Sequence, residues 1–294
     1  MPGFGERVTA SSVTRSFGGM TANAACAAAR LGLETEFFGR VGEDPEGDAA
    51  LAELERFGVG TRWVVRSSSP TTTALVLLGP DGERAIVSEP MAFDYAPLEE
   101  TVEHFAGRGK ACVHVDGYRL PEGLPVLRRA RRLGLMASAD LDGLEPEELR
   151  ACAGEVAACL DVVVLNGRLA SALAPSPASA AEKLVAMGAG VAAVTLGEEG
   201  TLVAQRGRVL RARAPAVEVR DATGAGDAFV GAFLAGWLGG EGTEGACRLA
   251  VAAGAVSVTG VGARGRLPDR KEAERFARSV VVEREKLEER SEAG

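Results

Sequence analysis

The sequence predicts an α/β fold in which a mostly parallel sheet is covered by helices on both faces. Short apolar runs such as 162–165 and 191–196 alternate with helix-length segments, the rhythm of strands buried on both sides. Between Trp63 and Val87 the period drops to two around Pro80-Asp81-Gly82, so this stretch leaves the main rhythm as a hairpin. Residues 1–294 form one domain, with 1–17 and 59–95 as a small lid excursion and the remainder as the α/β core.

The elements follow in order. Val8, Ala10 and Val13 give residues 1–17 a ragged strand pattern, interrupted by Gly18-Gly19. Small residues make a helix over 21–31, ended by Gly32. Phe37-Phe38 lies in a short strand before a glycine-marked turn at 39–42, and Leu51, Leu54 and Phe57 repeat along a helix at 46–57. Strands at 71–78 and 83–87 flank the turn. Past Ala96, strands are expected at 111–115, 136–139, 162–165 and 191–196, with helices at 124–133, 146–156 and 179–187 between them. Residues 171–179 read as a flexible loop, and 201–204 with 209–212 as a small hairpin. Helices at 225–238 and 243–258 follow, and Pro268-Asp269 opens a charged helix reaching about residue 287.

Composition excludes several function classes. The net charge is −8, from 41 acidic and 33 basic side chains, which gives no footprint for nucleic acid or anionic membranes. A local phosphate site stays open, because backbone N–H groups bind anions without net positive charge. The 5 cysteines are widely spaced with no C-x-x-C, and 2 histidines cannot build a histidine-rich metal centre. His114, between Val113 and Val115, reads as a packed neutral side chain. No long apolar run suggests a membrane span or signal peptide, so a cytoplasmic protein is expected.

Asp221-Ala222-Thr223-Gly224-Ala225-Gly226-Asp227 precedes an apolar helical segment. The glycines permit turn angles closed to other residues and let successive N–H groups point at an anion, aided by the helix terminus. Asp227 beside such a cradle makes sense as the base for an acceptor hydroxyl during phosphoryl transfer, or as a simple capping carboxylate. There is no G-x-x-x-x-G-K-[ST] and no protein-kinase motif set, so phosphoryl transfer would use another scaffold.

This segment resembles the C-terminal signature of the ribokinase-like (PfkB) carbohydrate kinases, with Ala222 where the family usually has Thr or Ser. The resemblance implies Asp227 as catalytic base, Gly224, Ala225 and Gly226 as the anion hole, Thr223 near the nucleotide, and Asp221 arranging the loop and a nearby cation environment. Far upstream, Gly18-Gly19-x-x-x-Asn23 with Leu31-Gly32 and Gly39-Arg40-Val41-Gly42 resembles the family's substrate-side motif. There Gly18, Gly19 and Asn23 would meet a sugar, although Asn23 alone reads equally as a helix-start residue. Thr195-x-Gly197-x-x-Gly200 is similar to the family's turn near ATP phosphates, or is an ordinary strand-to-strand turn. The implied fold is the ribokinase-like three-layer fold with a small β lid, and the implied cofactors are ATP and Mg²⁺, with K⁺ as a further candidate. The implied assembly is a homodimer through the lid.

Two departures stand out. Asn166-Gly167-Arg168-Leu169 has leucine where the family's N-x-x-E has a glutamate, so no metal ligand is assigned. The family's opening central strand and its sugar-binding Asp have no counterpart before Glu6, which is not an assignable replacement. Asp116 and Arg119 follow a strand and would recognise a hydroxyl and an anionic tail, or serve only as loop polarity. The fructose-like and sulfofructose-like kinases are nearest in appearance. The expected reaction is ATP-dependent phosphorylation of a primary hydroxyl on a ketose or related sugar. Ribose, 2-keto-3-deoxygluconate or a nucleoside are alternative acceptors, and a binding-only sugar or nucleotide sensor is the alternative function.

Overall fold

In the computed structural model, which describes residues 5–78, 84–90, 95–118 and 120–285, the strand-and-helix rhythm of the sequence becomes three layers. The elements are α1 (Met20–Arg30), β1 (Thr35–Gly42), α2 (Pro45–Arg56), β2 (Val59–Ser67), β3 (Ala74–Leu78), β4 (Arg84–Ser88), α3 (Ala96–Phe105) and β5 (Cys112–Asp116). They continue with α4 (Leu120–Arg132), β6 (Met136–Asp140), α5 (Pro146–Cys159), β7 (Val162–Asn166), α6 (Gly167–Leu173), α7 (Pro177–Ala186) and β8 (Val191–Thr195). The last are β9 (Thr201–Gln205), β10 (Arg208–Arg213), α8 (Ala225–Leu238), α9 (Gly242–Ser257), α10 (Arg270–Ala277) and β11 (Val281–Arg284).

The central sheet has seven strands in the order β11-β10-β9-β8-β7-β6-β5. Strands β5 to β8 are parallel and β8 to β11 antiparallel. Strand alternation sorts the core into its two faces. Ala137, Val163, Leu165, Ala192 and Val194 pack on one side with Leu127, Leu149, Val156 and Leu184 from α4, α5 and α7. Val162, Val164, Val191 and Ala193 pack on the other with Phe229, Phe233, Leu249 and Ala253 from α8 and α9.

Strands β1 and β2 form a separate parallel pair, and β3 with β4 an antiparallel hairpin. Phe38 of β1 and Val113 of β5 nonetheless share one apolar cluster with α3 and α4, although no ladder joins those strands. Helix α1 spans this break and packs closely on α8. A side chain at Gly231 would collide with the Ala24 carbonyl and lie 2.8 Å from the Ala27 Cβ.

Several expectations are corrected. Residues 5–19 form no strand, because the Val8, Ala10 and Val13 pattern finds no pairing partner and Val8 and Val13 lie exposed. Gly39 and Gly42 continue β1 rather than turning; the Phe37 ring lies over Gly39, and Asp44 and Thr71 crowd Gly42. The loop expected at 171–179 is mostly helical, because Ser176 and Ser179 form a capping box that starts α7. The helix from Asp269 stops at Ala277 and the chain adds β11 beside β10, since β-branched Val280, Val281 and Val282 favour a strand. Pro80-Asp81-Gly82, Arg119 and Leu287 lie outside the described residues.

Candidate active site

The parallel strands deliver polar residues to one edge of the sheet. Asp116, Asp140, Asn166 and Thr195 end β5, β6, β7 and β8, which is where an open α/β sheet builds its site. Asp116 and Asp140 are register partners, as are Asn166 and Thr195. Asp140, unmarked in the sequence reading, had a local signal: Asp140-Leu141-Asp142-Gly143 ends a strand with the acid-then-glycine pattern seen at Asp116-Gly117.

The two acidic turns lock together. The Gly117 N–H donates to the Asp142 carbonyl at 3.1 Å, and a side chain at Gly117 would strike that same loop. Asp116 Oδ1 accepts the Tyr118 N–H at 3.2 Å, and Asp140 Oδ1 accepts the Asp142 N–H at 3.1 Å. The Thr21 hydroxyl, from the first turn of α1, donates to Asp116 Oδ2 at 2.7 Å.

Across from them, the predicted glycine loop begins α8. Gly224 caps the helix in the left-handed region at φ 78°, and a side chain there would lie 2.7 Å from Ala263. Only glycine meets both demands. The Asp221 carboxylate accepts the Thr223 N–H at 2.9 Å and the Gly262 N–H at 2.8 Å, tying this loop to the turn after α9. No side chain caps α8, and the space beside Gly226 is open. The Ala225 N–H donates to the Ala222 carbonyl at 3.3 Å, whereas the first-turn N–H groups of Gly226 and Asp227 have no partner inside the helix, so the cradle suits an anion.

Asp227 leaves these N–H groups alone and reaches α1, where Asn23 Nδ2 donates to its Oδ2 at 2.8 Å. Asn23 Oδ1 in turn accepts from Arg264 Nε at 2.7 Å, and Arg264 Nη2 donates to the Gly18 carbonyl at 2.7 Å. Gly19, at φ 95°, is the N-cap of α1 and its carbonyl accepts the Asn23 N–H. Gly18, Gly19, Asn23 and Asp227 thus come together. Arg264 was not legible, being 241 residues from Asn23.

Burial raises all three carboxylic acids. Asp227 is pushed up to about 6; the Asn23 hydrogen bond opposes the shift, Asp116 and Asp142 add to it, and Arg264 opposes it. Asp140 is pushed to about 8 by burial, against the Asp142 N–H bond and reinforced by Asp227, Asp142 and Asp116. Asp116 is also raised by burial, with the Thr21 and Tyr118 bonds pulling the other way. Of the three, Asp140 is shifted furthest toward its protonated form.

The remaining predicted residues have structural work. Asn166 caps α6 by accepting the Leu169 N–H at 3.0 Å, and Leu169 is fully buried in the core. The position where an acidic side chain was sought thus faces apolar neighbours. The Thr195 hydroxyl turns toward the Leu165 carbonyl at 3.4 Å. Gly200, at φ 90°, passes so close to Ala212 that no side chain fits, while Gly197, at φ 60°, borders open space. His114 contacts the Ser138 hydroxyl at 2.9 Å, and burial pushes it down to about 4, so it is neutral. Among the described residues no group of three or more His, Cys, Asp or Glu side chains is arranged to hold a metal ion. No described helix is long and apolar enough to cross a membrane.

The family model for pfkB family carbohydrate kinases matches residues 2–270. The chain belongs to the pfkB family. An uncharacterised sugar kinase of Archaeoglobus fulgidus is 32% identical over 244 residues, covering 81% of this chain and 97% of the relative. A fructokinase of Escherichia coli is 33% identical over 285 residues, covering 87% of this chain and 90% of the relative. Among solved structures, an Arabidopsis thaliana ribokinase complexed with ribose and ATP superposes with a TM-score of 0.77 at 25% identity, covering 94% of this chain and 92% of that one. This pfkB-family chain has the ribokinase-like three-layer fold with a small β lid, and the family's broad activity is ATP-dependent phosphorylation of sugars or nucleosides.

Proposed function

We propose that this chain transfers the γ-phosphoryl group of ATP to a primary hydroxyl of a ketose or related neutral sugar, with Asp227 as base. The observation carrying this reading is the Asp227 carboxylate, oriented by Asn23 toward α1 and away from the N–H groups of the first turn of its own helix, which no side chain among the described residues caps. A base that does not occupy the anion cradle leaves it for the transferring group. Asp227 takes the hydroxyl proton as that oxygen bonds to the γ-phosphorus and the bond to the departing ADP oxygen breaks, and the N–H groups of Gly226 and Asp227 face the charge that develops. Asp116 accepts from sugar hydroxyls, while protonated Asp140 donates to one. Mg²⁺ arriving with the nucleotide would neutralise charge on its phosphates.

A neutral acceptor is favoured over an acid sugar because the charges of Asp116 and Asp142 bear on both Asp140 and Asp227, an acidic surround that repels a further anion. The fructokinase and ribokinase relatives support a sugar over a nucleoside. Buried Leu169 supports the second reading, a sensor that binds sugar or nucleotide without turnover. For assembly we propose a homodimer through the lid, because Leu75, Val76, Ile86 and Val87 are exposed on a two-stranded hairpin that is marginal alone. Sedimentation of the wild type against a Leu75→Ser, Val87→Ser double variant checks it, with a shift to monomer expected.

The deciding assay is ADP formation with Mg²⁺ and K⁺ across fructose, sulfofructose, ribose, 2-keto-3-deoxygluconate and adenosine. Fructose-dependent ADP release that falls about 10³-fold or more in Asp227→Asn supports the kinase. Saturable binding with no ADP from any acceptor supports the sensor.

A further inference from the structure

We propose that Arg264 is a positioning residue that fixes the Asp227 carboxylate through the side-chain amide of Asn23. The proposal rests on the reading of Asp227 as base and extends it to a residue outside the glycine loop. Its first support is the directionality of the relay. A guanidinium can only donate, so the Asn23 oxygen must face Arg264, and the amide NH₂ is then left for Asp227. Turning the amide over would set its NH₂ against the guanidinium and its oxygen against the carboxylate, losing both hydrogen bonds. Arg264 thereby selects the Asn23 orientation that serves Asp227, and the Gly18 carbonyl holds the guanidinium from its other side.

The second support is the cost of placing the cation there. Arg264 is only 8% exposed, and among the described residues no carboxylate comes within ion-pair distance of it. A buried guanidinium satisfied only by an amide and a carbonyl is expensive unless its charge acts on something nearby. Burial lowers its proton affinity, and the groups that pull it back are Cys26, Glu53 and Asp227. Of these, Asp227 is the carboxylate one amide away. On its other sides Asp227 faces Asp116, Asp142, Asp140 and Tyr118 from the ends of β5 and β6, so among the described residues Arg264 is the cation opposing that acidic surround.

The test is the titration of Asp227 itself, read by carbon NMR of protein carrying ¹³C-labelled aspartate carboxyls. The resonance is assigned by its loss in Asp227→Asn. In Arg264→Met the midpoint is expected to rise by about 0.5–1 pH unit, with the acid limb of kcat/KM moving alike and kcat falling roughly tenfold. Arg264→Lys keeps the charge, so its midpoint should return toward the wild-type value while kcat stays intermediate, because the planar fork is gone. An unmoved midpoint in folded Arg264→Met overturns the proposal. Should that variant fail to fold, Asn23→Leu cuts the relay with the arginine in place, and an unmoved Asp227 midpoint there overturns it equally. The titration needs no turnover, so a wild type that makes no ADP would remove the kinase reading and still leave the coupling decided.

Discussion

The two sides of the site are made from different materials. On the side proposed to meet the phosphoryl group, backbone N–H groups at the start of α8 are aimed by Gly224 and held by the Asp221 bonds to residues 223 and 262. On the side proposed to bind the acceptor, the groups on offer are the side chains of Asp116 and Asp140, each pinned through one oxygen by its own turn. Backbone donors survive most side-chain changes but fail if the chain cannot hold its angles. Buried carboxylates keep their geometry and change with pH. One side should therefore break under strain and the other under titration.

The largest expected effect sharpens that contrast. Gly224→Val forces a branched side chain into a left-handed angle and against Ala263, so kcat should drop by about 10²–10³ with a melting temperature several degrees lower. Next comes pH. In the proposed roles Asp227 has to be ionised to accept a proton and Asp140 protonated to donate one, so kcat/KM should trace a bell with limbs near about 6 and about 8. In Asp140→Asn the alkaline limb should vanish while the acid limb stays. Asp116→Asn weakens hydroxyl recognition, and the acceptor KM should rise about tenfold with kcat changed less.

The smallest effect is on stability. The proton affinity of Asp140 is raised on folding, so its contribution is fully present below about pH 4 and lost as pH rises through about 8. Asp140→Asn removes that loss, and the variant should melt higher than wild type at pH 8, with the gap closing toward pH 5. A gap that widens toward acid would break the assignment of a protonated Asp140.

Features set by local conformation were readable in the chain. Gly224 and Gly200 were recognisable because a left-handed angle beside close backbone leaves one residue type. The buried strands 162–165 and 191–195 were readable because both faces are covered, which gives continuous apolar runs. What escaped depended on distance. Asn23 and Asp227 are 204 residues apart, and nothing near Arg264 marks it as their neighbour. The charged tail misled for a different reason. Arg270 to Ala277 is helical as its charge pattern suggests, but the edge of β10 recruits the valines that follow, and pairing outweighs the local preference.

The close approach of α1 to α8 at Gly231 has a consequence for anyone trying to strengthen this protein. Filling a core with larger side chains is an ordinary route to a higher melting point. Here that route is closed along one seam, because α1 carries Thr21 and Asn23 while α8 carries Asp227, and a single methyl at 231 would wedge the two apart. The alanines and glycines of that seam act as a spacer cut to size. Heat resistance would have to be added elsewhere, for instance among the surface arginines and glutamates, and the seam left as thin as it is.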